Sequence, residues 1–129
     1  MLLALTFALL ATVPAASQQI TPTTQFTIPI AAGTLTETKI VSGITGKSIY
    51  VTQISQVAAA GAVVTYTTGT GTNCGTSNAA LTGAMTFAAA QTLVAGTGNG
   101  AILVVPSSFD LCLTIATAGA PGFLSYAQW

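Results

Sequence analysis

The sequence predicts an all-β fold, an antiparallel jelly-roll-like β-sandwich of about nine strands with one disulfide. Three observations predict it. Beyond the first seventeen residues, apolar side chains recur with a period of two, and no helical periodicity survives. The alternating stretches are short, and Gly-, Thr-, Asn- and Pro-rich breaks separate them as in a sandwich or barrel. Two cysteines are present, Cys74 in a polar run and Cys112 inside an alternating strand. About nine strands suit a jelly roll. An immunoglobulin-like sandwich is the alternative, but the sole tryptophan, Trp129, stands beyond both cysteines and is no core residue packed between them.

The first segment, MLLALTFALLATVPAAS, reads as a secretion signal over residues 1–17. Its apolar run, Leu2 to Val13, falls short of the roughly 20 residues of a transmembrane helix. Pro14 breaks the run, and Ala15 and Ser17 fit cleavage before Gln18, although no Lys or Arg follows Met1. Residues 18–24 form a polar N-terminal arm holding Pro22, and residues 25–129 form the sandwich domain. No later stretch is long enough for a stable membrane span.

Gln25 to Ala31 is the first predicted strand, with Phe26, Ile28 and Ile30 on one side and Pro29 placing it at a sheet edge or bulge. Thr34 to Ser42 follows with mixed phase, since Leu35 shares its face with Glu37 and Lys39. Lys47 to Val57 is the longest strand. Ile49 and Val51 share one face, Tyr50 and Thr52 the other, and Ile54 breaks the alternation as a β-bulge near Thr52-Gln53 would. Ala62 to Thr68 carries Val64 and Tyr66 in register. After the Cys74 loop and a short apolar piece, Ala79 to Leu81, come Ala84 to Ala88 and Gln91 to Ala95. Ala101 to Val105 is apolar throughout and reads as a buried strand. Phe109 to Ala116 alternates most cleanly, setting Phe109, Leu111, Leu113 and Ile115 against Asp110, Cys112 and Thr114. Phe123 to Trp129 closes the domain.

Of 129 residues, 51% are hydrophobic and 3% charged, against about 25% charged in an ordinary globular domain. The four charges, Glu37, Lys39, Lys47 and Asp110, cancel. There is no basic patch for nucleic acid, and little repulsion keeps copies apart, so self-association into a homo-oligomer, or with other structural subunits, is expected. Two cysteines in an exported chain suggest a Cys74–Cys112 disulfide, with two free thiols as the alternative. Cys112 projects from the face opposite the apolar row, where a loop cysteine crossing that face meets it.

The order GKSIYVTQIS, GTGTNCGTSNAALTGAM, GNGAILVVP, LCLTIA and FLSYAQ, from about Ile44 to Gln128, resembles a group of small proteins of tailed phages and prophage-bearing bacteria. Cys74 and Cys112 match that group's paired cysteines, and Tyr126 and Gln128 its closing strand. The resemblance implies an exported or virion-associated β-sandwich and brings no activity with it.

The sequence has no histidine, so a hydrolytic triad lacks its usual base. Glu37 and Asp110 are the only carboxylates, and each has a structural explanation, Glu37 beside Lys39 on a strand face and Asp110 on a solvent face. Two distant cysteines without histidine make no zinc site. The Gly-rich GTGTNCG and GTGNG lead into no helix and read as turns rather than phosphate cradles. No catalytic residue, metal or cofactor is therefore expected. What remains is surface. Tyr50, Tyr66, Tyr126 and Trp129 are the possible ligand-facing aromatics, a platform for sugar rings as in lectin-like sandwiches, with tyrosines that fill the outer ends of the core as the alternative. Neutral strand faces rich in Thr and Ala suit contact with other subunits, because few charges lose water there.

Overall fold

Alternation along the chain builds ten strands among the described residues. The computed structural model describes residues 24–97 and 99–129. The expected signal, residues 1–17, and arm residues 18–23 lie outside them. In chain order the strands are β1 (Phe26–Ile30), β2 (Leu35–Val41), β3 (Ile49–Ala58), β4 (Val63–Thr70), β5 (Thr76–Ala80), β6 (Met85–Thr86), β7 (Gln91–Ala95), β8 (Leu103–Val105), β9 (Asp110–Ala116) and β10 (Gly122–Gln128). A single turn of 3-10 helix, Thr72–Cys74, links β4 to β5.

The strands form two antiparallel sheets. The first runs β1-β10-β3, with β7 and β8 both on the far side of β3. The second runs β2-β9-β4, with β5 and β6 both on β4. With each of those pairs taken as one broken strand, the orders become 1-8-3-6 and 2-7-4-5. First pairs with last and second with second-last, which is the pairing of a jelly roll. The additional strand relative to sequence expectation is β5, which folds back on β4 although all five of its residues are exposed.

The core lies between the sheets. Ile49, Val51, Ile54 and Leu124 enter from the first sheet, and Val64, Tyr66, Leu111, Leu113 and Ile115 from the second. The expected bulge in β3 is present. Consecutive residues Ser125 and Tyr126 pair with Gln53 and Val51, leaving Thr52 as the extra residue. Ile49, Val51 and Ile54 thereby all reach the core despite their broken alternation. Buried Thr52 is satisfied by donating to the Ser125 carbonyl at 3.2 Å. The mixed phase of β2 is resolved similarly. Its register with β9 shifts between Leu35 and Thr38 and again between Lys39 and Val41, so Leu35 and Val41 pack inward while Lys39 faces out.

One expectation fails. The apolar run ending at Val105 is not a buried strand. In β8, Leu103 and Val105 turn to the core, but Val104 is exposed, as is the preceding Ile102. β8 pairs with β3 over only three residues at the side of the sheet, and no element covers its outer surface among the described residues.

Candidate functional site

The two outer faces of the sandwich differ in chemistry. The outer face of the second sheet carries the disulfide and three of the four charges. Cys112 of β9 is joined to Cys74, with Cα atoms 6.2 Å apart, and both are fully buried. The loop lies close on the sheet because β4 has a glycine beneath it. A Cβ on Gly69 would fall 2.6 Å from the Cys74 carbonyl oxygen and 2.8 Å from its Cβ. Gly71, at φ +78°, starts the turn in a conformation that side chains disfavour.

Around this staple the charges are engaged. Asp110 accepts from the Gly43 amide at 2.8 Å and pairs with the Lys39 ammonium at 3.3 Å. Glu37 does not pair with Lys39. It accepts from the Thr67 hydroxyl at 2.7 Å and from the Asn78 amide, which also donates to the Cys74 carbonyl. Both carboxylates thus hold the loop and the β2–β9 region in place.

The outer face of the first sheet carries no charge, since none of its strands contains Asp, Glu, Lys or Arg. Strand register arranges this face in transverse rows. Val94 of β7, Ser55 of β3, Phe123 of β10 and Pro29 of β1 lie side by side. A polar row follows, Gln53, Ser125 and Thr27, the last two hydroxyls 2.9 Å apart. Next come Val104, Tyr50 and Ala127. Val94 is 63% exposed, Val57 51% and Val104 49%, with Phe123 also open to solvent. These large apolar side chains stand in water on a face that carries no charge.

The aromatic candidates separate. Tyr50 and Trp129 stack, ring centroids 4.6 Å apart, beside this face, and Trp129 remains 40% exposed. Tyr126 is half-buried and tilts against Phe26 at 5.6 Å, where Phe26 is exposed at the end of β1. Tyr66 takes the core-filling alternative and not the ligand-facing one. It is fully buried in the core, its hydroxyl donating to Gln56 Oε1 at 2.8 Å. Burial pushes its phenol well above the ordinary value.

Between the aromatic pairs lies a groove of about 390 Å³ lined by Thr24, Phe26, Ile44, Lys47, Gln128 and Trp129. Phe26, Lys47 and the valines of the first sheet were not singled out from sequence. For Val94 and Phe123 the available signal was phase, because each alternates with a residue that packs on the core, Leu93 and Leu124.

Among the described residues no helix is long and apolar enough to cross a membrane. The fold and its surfaces define a disulfide-stapled jelly-roll sandwich with one charged and one uncharged face. Comparison with protein-family models, with curated proteins and with solved structures returns no match.

Proposed function

We propose that this chain is a non-enzymatic structural or adhesion subunit, exported or virion-associated, that assembles with copies of itself through the outer face of the first sheet. The observation that carries the reading is the uncharged face with Val57, Val94, Val104 and Phe123 exposed on it. Covering such side chains gains about 25 cal/mol per Å² of apolar area removed from water. No charge on the face must be desolvated to do so. Export is supported by the disulfide, which persists in oxidising surroundings. A non-catalytic role is supported by the sequence's lack of histidine and by the structural bonds of Glu37 and Asp110.

Native mass spectrometry of the intact and reduced protein tests this reading, alongside a Val94→Lys, Phe123→Glu variant. The wild type is expected as a closed oligomer and the variant as a folded monomer. A wild type that stays monomeric at every concentration, or a variant that assembles equally well, overturns it.

A second reading, a carbohydrate-binding module, is supported by the aromatic-walled groove at the Trp129 end of the first sheet.

A further inference from the structure

We infer that this groove is a subsite for an acidic sugar, with Lys47 receiving the carboxylate and Phe26 and Trp129 flanking the ring. The inference rests on the carbohydrate-binding reading and adds the charge of the ligand.

The walls are held in place before any ligand arrives. Trp129 is fixed by its stack on Tyr50 and by backbone bonds with Ser48 in both directions, at 3.0 and 3.3 Å. Phe26 rests on Tyr126. The volume of about 390 Å³ falls within the range of roughly 300–1,000 Å³ usual for small-ligand sites. Two exposed aromatic side chains beside one groove offer the flat apolar surface that the C–H face of a sugar ring covers. Gln128 supplies a polar group of fixed direction. Its amide nitrogen donates to the Ser42 carbonyl at 2.8 Å, which leaves Oε1 as an acceptor for a hydroxyl.

Lys47 decides the charge. It makes no ion pair among the described residues. The sequence holds only two carboxylate side chains, and neither lies in residues 1–23 or at position 98. Asp110 is taken by Lys39 and the Gly43 amide, and Glu37 by Thr67 and Asn78. The exposed Lys47 ammonium is therefore open to an anionic group entering the groove. A ring with an apolar face, hydroxyl groups and one carboxylate matches aromatic walls, an amide oxygen and an ammonium together.

Trp129 is the sole tryptophan, so its fluorescence reports on the groove. The full chain is titrated with a galacturonic acid trisaccharide, a galactose trisaccharide and an aspartate-containing tripeptide, with calorimetry reading the same titrations. Lys47 is exposed, and Lys47→Gln is expected to keep the wild-type melting curve. The acidic saccharide is expected to give a saturable change. Affinity should fall roughly tenfold for the neutral saccharide and for Lys47→Gln, the order of one charged hydrogen bond. Lys47→Arg should retain binding, and Lys39→Gln should leave it unchanged. Equal affinity for the neutral saccharide, or an unchanged Lys47→Gln, overturns the acidic-sugar inference while carbohydrate binding stands. Equal affinity for the peptide overturns the sugar assignment. If neither saccharide binds by fluorescence or by calorimetry, the inference and the carbohydrate reading fall together.

Discussion

Tyr66 shows how a residue's chemistry follows from its neighbours. Its hydroxyl donates to Gln56 Oε1, and the Gln56 amide nitrogen donates to the Ala120 carbonyl at 2.8 Å. This buried chain of bonds ties β4 to β3 across the core. Tyr66→Phe removes the donor and leaves a buried amide oxygen without a partner, so a loss of about 1–3 kcal/mol is expected in urea unfolding. The pH dependence has a definite sign. Burial holds the folded phenol neutral beyond its ordinary value of 10.0, whereas the unfolded phenol ionises near that value. Tyr66's contribution is full below about pH 10 and falls as pH rises beyond it, because the unfolded chain then releases the proton more readily. Tyr66→Phe should flatten this alkaline decline, and an unchanged slope would place its origin elsewhere. The sequence already hinted at Tyr66's place by setting it in phase with Val64. Its reading as a ligand-facing ring came from residue type alone.

At the scale of elements, the Cys74 loop and β9 behave as one unit. Cys112 was legible as the outward residue of an alternating strand, and the structure closes the bond there. The closed segment spans a separation of 38 residues, for which the chain-entropy model gives about 3–4 kcal/mol. The Cys74→Ser, Cys112→Ser variant should therefore unfold at lower urea concentration by about that free energy, and an unchanged midpoint would contradict a stabilising staple. The bulge at Thr52 was legible for a similar reason, since a break in alternation within one strand needs an extra residue to restore the inward face. β8 was not legible. A run apolar at every position has no phase, so only the pairing partner shows which residues face water. Close approaches were equally hidden. Gly122 lies where a Cβ would fall 1.9 Å from the Ser55 carbonyl oxygen, a constraint set by β3 from far along the chain.

For the whole molecule, the unequal distribution of four charges is the main physical fact. Glu37, Lys39 and Asp110 gather on the second sheet, Lys47 sits between β2 and β3, and the first sheet has none. Association through that sheet should therefore respond to salt in an unusual way. Sodium chloride screens charges that the face lacks, so the oligomer fraction should change little as it is raised. Sulfate strengthens apolar burial and should increase the fraction. Sedimentation velocity across both salts checks this, and dissociation by sodium chloride would indicate that charged groups make the interface.

The β class, the outward direction of Cys112, the bulge in β3 and the scarcity of ionisable chemistry are readable from the residues in order. These follow from side-chain alternation within one strand and from which residue types are present, and both are local properties. The tertiary structure alone decided that Val94, Phe123 and Pro29 share one row, that Tyr66 is internal, and that Lys47 faces a groove between Phe26 and Trp129. A row across a sheet is set by register between strands distant in sequence, and a groove by how the ends of those strands meet. Neither quantity exists until the first strand has paired with the last.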